Sequence, residues 1–371
     1  MTMGKLAGRG TRVLAQALLP LGLALAVGAL IILAIGENPL NVYWLMFRGS
    51  FGSVRRLCST LQEASPMIFT GVSVALAFRA GLFNIGAEGQ LLIGGFAAAW
   101  AGFALGALPG PLHVTACVIA AAAAGFVWGL IPGVLKARLG VHEVLNTIML
   151  NYVALALTNF LVAHSYFRQP GQIPQTREVL DTGALPRFEF LYAHAKVNAG
   201  LWIALAVVLA AAYLLARTRY GFEIKAVGFN PEASEAAGIS KSRIIWTTMG
   251  LSGAVAGLAG AEQVLGVFRH FLSPFPFGYG FVGIAVALLA RNHPFAIVPA
   301  ALVFGALASG AQEVDVYSQT PREITVVLQG VFVLFIACEF VLRRRRRTED
   351  GGDGAEVESR RTEGEGRGDD G

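Results

Sequence analysis

Long apolar stretches alternate with short polar breaks from one end of the chain to the other. A helix needs roughly 20 predominantly apolar residues to cross the hydrocarbon core of a bilayer. With glycine, proline and charge taken as punctuation, the pattern predicts ten crossings, at about residues 13–36, 58–79, 82–106, 112–135, 143–164, 198–216, 244–266, 280–292, 294–312 and 323–342. The eighth is short for a full crossing. The alternating pattern of a membrane β-barrel is absent, and lipid offers the backbone no hydrogen-bond partner, so the spans are expected to be helical. The expected fold class is all-α, a polytopic membrane protein with about ten transmembrane helices, some discontinuous.

Composition agrees. Of 371 residues, 55% are hydrophobic and 14% charged, where a soluble domain carries about a quarter charged residues. Cys58, Cys117 and Cys338 are far apart, in or beside apolar stretches, without a disulfide framework or a zinc spacing. The first apolar stretch, Val13 to Ile35, is long and lacks a convincing small-residue cleavage site, so it reads as a retained span rather than a signal peptide.

Charge then orients the spans. Lys5, Arg9, Arg12, Arg79, Lys136, Arg138, Arg217, Arg219, Lys225, Lys241, Arg243, Arg291 and the run Arg343 to Arg347 fall on one side, against fewer basic residues on the other. The positive-inside bias predicts a multi-pass protein of the cell membrane with both termini cytoplasmic. Residues 1–12 form the cytoplasmic N-terminus, 13–342 the membrane domain, and 343–371 a tail of charge and glycine that is expected to be disordered. Its arginine run is suited to anionic membrane lipid. Residues 165–197 make the longest outside loop, either a simple connector or a surface for an extracellular partner.

Between the sixth and seventh spans, residues 217–243 are too polar for membrane and too well punctuated for a random linker. Asn230 is a good N-cap, Pro231 suits the first helical position, Glu232 favours the positive helix end, and Gly238 makes a C-terminal stop. A short helix at the inner surface is expected. It serves either as a loop cap or as a rigid knob for a soluble partner.

"GFNPEASEAAGIS" resembles the coupling segment of ABC-importer permeases of the branched-chain amino acid and ribose class, and "GLFNIGAEGQLLIGG", "EVLNTIMLNYVA" and "GFVGIAVALLARNHP" resemble the narrower simple-sugar and nucleoside group. These motifs extend over about residues 57–342. The resemblance implies a permease that passes solute delivered by an extracytoplasmic binding protein. It further implies a cytoplasmic ABC ATPase subunit and a second permease, identical or homologous. On this reading Asn230, Pro231, Glu232, Ala233, Glu235, Ala236, Ala237 and Gly238 couple to the ATPase. The resemblance implies that ATP is hydrolysed by that separate subunit, and the chain agrees in carrying no GxxxxGK[ST] phosphate loop; no cofactor is expected here, and nothing calls for nucleic acid as a partner.

Within the membrane, "FNIGAEGQLLIGG" places Asn84, Glu88 and Gln90 among glycines. An ionisable group in a span costs about 2.5 to 3.5 kcal/mol on insertion scales and faces a cavity or a partner. Asn84 and Glu88, four apart, would share a helix face, while Gly81, Gly86 and Gly89 would let the helix break and offer backbone groups to solute. The alternative is that these side chains only bond neighbouring helices. Thr147, Asn151 and Thr158, flanked by Asn146 and Asn159, make a polar stripe on the fifth span, and Glu262 with Gln263 forms a third set. Asn84, Glu88, Gln90, Asn146, Asn151, Thr158, Glu262 and Gln263 are therefore the candidate solute pathway. Gly250, Gly253, Gly257 and Gly260 read as close helix packing or as a moving seam.

An intramembrane enzyme is the reading from another class. It would need a nucleophile and base or a metal set, and the six histidines are scattered without ligand spacing. The resemblance favours nucleosides or simple sugars, uncharged solutes that suit polar faces without an Arg or Lys clamp; branched-chain amino acids are the alternative within the same class.

Overall fold

The computed structural model describes residues 22–23, 25–164, 166–276, 278–317, 327 and 330–331. The expected tenth span, the N-terminal segment 1–12 and the tail 343–371 lie outside the described residues, apart from those three positions. Two compact units are distinguished. Of the described residues, those up to 39 and from 326 onward belong to one, which contributes the helix α1, Leu25–Ile35; those between 40 and 325 belong to the other.

In the larger unit the helices are α2 (Pro39–Phe51), α3 (Val54–Arg79), α4 (Ala87–Ala104), α5 (Gly110–Leu139), α6 (Glu143–Ala163), α7 (Gly200–Arg217), α8 (Arg219–Phe229), α9 (Pro231–Ala236), α10 (Lys241–Glu262), α11 (Tyr279–Leu289) and α12 (Pro294–Tyr317). α10 runs on as a π-helical turn, Gln263–Phe268. Among the described residues, six helices are long and apolar enough to cross a membrane: α3, α5, α6, α7, α10 with its π turn, and α12. Of the four expected spans not among these six, the first (13–36) and the tenth (323–342) lie partly or mostly outside the described residues, and the other two have local causes. The third expected span starts late, at Ala87, because residues 80–86 are not helical, and it is an 18-residue helix buried largely in protein. The eighth is the 11-residue α11, about 16 Å long at the α-helical rise and so about half a bilayer core.

α3 and α10 form the middle of the bundle. Of their apolar stretches 78% and 67% are buried, against 22%, 22% and 28% for α5, α6 and α7, whose outer faces are left for lipid. Glycine lets α10 approach its neighbours to backbone contact: a Cβ added at Gly94 would lie 2.4 Å from the Cα of Gly257, and one at Gly125 would lie 2.3 Å from the carbonyl of Gly253. Small residues at such crossings are how membrane helices gain dispersion contact without a hydrophobic driving force between them. The Gly253–Gly257 step is therefore a packing seam between α10, α4 and α5.

The long loop before α7 is ordered over the end of α10. Thr176 N–H donates to the Phe271 carbonyl (3.0 Å) and Phe271 N–H donates back to Thr176 Oγ1 (2.9 Å). The Arg187 guanidinium donates to the carbonyls of Gly266 and Val267, both at 2.7 Å. These bonds satisfy carbonyls left over where the π turn ends, and make the loop a cap rather than a simple connector.

Candidate functional site

α3 stops because Gly81 takes φ +73°, a left-handed conformation that other residues resist. The chain then crosses residues 82–86 without helical bonds, and side chains supply them instead. Asn84 Nδ2 donates to Gln90 Oε1 and to Ser252 Oγ, both at 2.8 Å, while its Oδ1 accepts from Gly86 N–H (3.1 Å) and Gln90 Nε2 (3.2 Å). Ser252 in turn exchanges bonds with Ser73, each hydroxyl donating to the other's carbonyl at 2.7 Å. From α6, Asn151 accepts from Gly89 N–H (2.8 Å) and donates to the Ile85 carbonyl (2.9 Å). The broken turn is thus braced by buried amides and hydroxyls.

Asn84 and Glu88 do not share a helix face, contrary to the sequence expectation, because Asn84 precedes the first turn of α4. Glu88, completely buried, turns to α11. Its Oε1 accepts from Gly278 N–H at 2.9 Å and its Oε2 from Gly280 N–H at 2.6 Å. The carboxylate thereby occupies the positive end of α11, where an anion is favoured by unpaired N–H groups and by the helix dipole. Gly280 is required for this approach, since a Cβ there would lie 2.3 Å from the Glu88 nitrogen. Thr70 of α3 donates to the Tyr279 carbonyl (2.9 Å), fixing the same turn from the other side.

The α6 stripe faces protein. Thr147, Asn151 and Thr158 are buried, but the two threonines donate to carbonyls of their own helix, Glu143 and Ala154, at 2.7 and 2.9 Å. Asn146 Nδ2 is buried without a hydrogen-bond partner among the described residues. Asn159 Oδ1 accepts from the Ser273 hydroxyl (2.7 Å). Glu262 and Gln263 form a separate cluster: Glu262 Oε1 accepts from Asn198 Nδ2 (2.9 Å) and Oε2 from Gln263 Nε2 (2.7 Å). The void beside Glu262, about 10 Å³, has room for about one water and no solute. So Asn84, Gln90 and Asn151 are brought together, Glu88 adjoins them through α4, and Glu262 with Gln263 stands apart. Ser73, Ser252 and Asn198, which complete these clusters, lie in apolar or loop sequence that carried no signal.

Beside this same end of α3, where Gly228 lies against Arg79, two short helices form a knob. Thr218 caps α8 by accepting from Gly221 N–H (3.0 Å). Asn230 caps α9 as the sequence predicts, accepting from Glu232 N–H (3.1 Å) and Ala233 N–H (3.0 Å). Gly238 closes α9 at φ +81°, and Ile239 N–H returns to the Ser234 carbonyl at 2.9 Å. α9 is six residues long, a short helix as expected. It is held to its surroundings by Lys241–Glu235 (2.6 Å), while Glu223 of α8 takes Arg243 (2.7 Å) and Arg219 (3.1 Å). The exposed Lys241–Glu235 pair fixes orientation more than it adds stability, whereas the Glu223 carboxylate is buried.

Between α8 and α9 lies a groove of about 450 Å³ lined by Phe222, Ala226, Phe229, Ala233, Ala237 and Ile239, with polar groups at its edge. Phe229 is 95% exposed. An exposed aromatic beside small alanines makes an apolar patch on this surface. The sequence reading had Ala233, Ala236 and Ala237 but missed α8 and its two phenylalanines; "RTRYGFEIKAVGF" begins with the Thr218 cap that could have marked it.

Comparison with known proteins identifies the family. A family model described as "Branched-chain amino acid transport system / permease component" matches residues 56–337. The chain is 40% identical to the guanosine ABC transporter permease protein NupP of Bacillus subtilis, over 86% of this chain and 92% of that one. It is 37% identical to the nucleoside ABC transporter permease protein NupB of Lactococcus lactis, over 85% of this chain and 88% of that one. To the glucose ABC transporter permease protein TsgB13 of Haloferax volcanii it is 34% identical, over 87% of each chain.

Proposed function

Because the chain belongs to the branched-chain amino acid transport system / permease component family, we propose that, as the permease subunit of an ATP-driven ABC importer, it passes nucleosides across the membrane. The observation that carries this solute class is its likeness, over most of both chains, to permeases named for guanosine and for nucleosides. An ATPase subunit and a solute-binding protein are its general partners. In this reading a second permease, identical or related, completes the pathway, and both termini are cytoplasmic.

The ATPase grips the knob formed by α8 and α9. Asn230, Pro231, Glu232 and Gly238 keep α9 rigid and oriented, Ala233, Ala236 and Ala237 allow close approach, and Phe229 supplies an apolar anchor. Force applied there reaches the membrane directly, because the Gly228 backbone of α8 lies against Arg79 at the end of α3, near enough that no Cβ fits between them. Asn84, Glu88, Gln90 and Asn151 act as the joint of the pathway: they hold the broken start of α4 and the start of α11. Asn146, Thr158, Glu262 and Gln263 belong to the same pathway as polar groups on α6 and α10 that water or solute reaches when the helices part.

A second solute class, simple sugars, is favoured by the likeness to a permease named for glucose. Uptake of radiolabelled guanosine by cells with the chain deleted and restored tests the reading. Restoration of guanosine uptake, competed by other nucleosides and not by glucose or leucine, is the expected result. Competition by glucose alone would move the assignment to sugars, and competition by leucine alone to branched-chain amino acids.

A further inference from the structure

At the end of the bundle away from α8 and α9, the first turns of α3, the end of α12 and the loop leading into α7 enclose a cavity of about 420 Å³. Its position follows from the chain. α3 descends from the cavity to Arg79 beside α8, and α7 descends from the same loop to Arg217, next to α8. Cavity and ATPase knob are therefore at opposite ends of the same helices.

The lining is chemically unlike the rest of the bundle. Ser59, Gln62 and Glu63 come from α3, Gln312 from α12, and Tyr192 and Lys196 from the loop. The Arg55 guanidinium lies 5.9 Å from the Tyr192 ring centre, tying the loop to α3. The side chains of Gln62 and Lys196 make no hydrogen bond or ion pair among the described residues. Donors and acceptors of both charge signs, one aromatic ring and a volume within the roughly 300–1,000 Å³ of small-molecule sites fit an uncharged molecule rich in hydroxyls. They fit a fixed anion or cation less well.

The cavity also has a mechanical connection. Glu63 Oε2 accepts from the Tyr279 hydroxyl at 2.9 Å, and its Oε1 has a long contact, 3.5 Å, from Gln312 Nε2. Tyr279 is the first residue of α11, the helix whose start Glu88 holds. A solute hydroxyl bonded to Glu63 acts on the same carboxylate that fixes α11. We propose that this cavity is the vestibule in which the permease receives solute, a hydroxyl-rich neutral molecule such as a nucleoside through its ribose or a hexose, and that Gln62 and Glu63 recognise it. The inference rests on the permease reading and adds to it a place and a chemistry of recognition.

The test uses the complete importer with its binding protein. Gln62→Cys, made with Cys58→Ser to remove the thiol already lining the cavity, is labelled with a membrane-impermeant thiol reagent with guanosine or with glucose present. At ten times the half-saturating solute concentration, mass action leaves about one cavity in eleven open, so labelling slows about tenfold. Leu191→Cys, on the same loop but outside the lining, labels at an unchanged rate, and Ser59→Cys is the reporter if Gln62→Cys does not assemble. Gln62→Leu raises the KM for uptake about fivefold, the worth of one hydrogen bond, with kcat retained. Protection by guanosine assigns the vestibule to nucleosides, and protection by glucose assigns it to sugars. Normal guanosine uptake with labelling unslowed at both reporters overturns the vestibule and leaves the permease reading standing. Absence of ATP-dependent uptake of either solute by the parent chain overturns the solute classes themselves, and this ligand assignment with them.

Discussion

Replacing Glu88 separates a charge that serves transport from a carboxylate that serves a helix end. The side chain accepts two backbone N–H bonds, from Gly278 and Gly280, in a fully buried setting. Glu88→Ala leaves both donors without a partner. At about 1–3 kcal/mol for each buried unsatisfied group, the loss is about 2–6 kcal/mol, enough to unfix α11 and to lower the amount of assembled protein. Glu88→Gln keeps one acceptor oxygen but turns its amide N–H groups toward the second backbone donor, so about half of that loss is expected. The assay is the heating midpoint for loss of monodisperse protein in detergent, compared with guanosine uptake of the same variants. The order parent, Gln, Ala is expected in stability, with uptake falling in proportion. An alanine variant as stable as the parent would refute the capping role. A glutamine variant of parental stability with no uptake would show that the charge itself acts in transport.

The remaining predictions concern the seam and the knob. Gly94→Ala puts a methyl 2.4 Å from the Gly257 backbone, which no rotamer change relieves, so assembled protein should be lost on a detergent gel-filtration trace. Gly140→Ala, at φ +68° with open space around it, should cost only about 1–2 kcal/mol and leave the trace normal; equal behaviour of the two would mean that α4 and α10 do not touch as described. Asn230→Ala removes two cap bonds worth about 0.5–2 kcal/mol, and should weaken co-purification of the ATPase while the permease itself still assembles. Phe229→Ala, on a side chain 95% exposed, should leave the heating midpoint unchanged and reduce ATPase retention; retention at the parental level would remove the phenylalanine from the interface.

How far the sequence foretold this arrangement depended on the distance between partners. Asn230, Pro231 and Gly238 act on neighbours within a few residues, so the cap, start and stop of α9 were readable. Glu88 was recognisable as an expensive residue, but its partner Gly278 is 190 positions away, and no local pattern says which helix end a buried carboxylate will hold. Asn84 and Glu88 were put on one face because a spacing of four implies helix; the left-handed Gly81 and the unwound residues after it removed that premise. The period of Thr147, Asn151 and Thr158 marked a special face of α6 correctly. Period alone could not tell a face turned to water from one turned to α4, since both exclude lipid. α11 was readable as short, because eleven apolar residues cannot span a bilayer.

The central claim is that solute movement is driven through the α8–α9 knob by ATP hydrolysed on another subunit. Proteoliposomes holding the assembled importer, with the binding protein on the side of the Gln62 cavity and ATP on the side of α9, measure it directly as accumulation of radiolabelled guanosine. Ala236→Arg adds bulk to the knob without touching either polar cluster. The account predicts ATP-dependent accumulation by the parent chain and none by Ala236→Arg, with guanosine still captured by the binding protein. Accumulation driven by an ion gradient in the absence of the ATPase subunit would contradict it, as would full accumulation by Ala236→Arg.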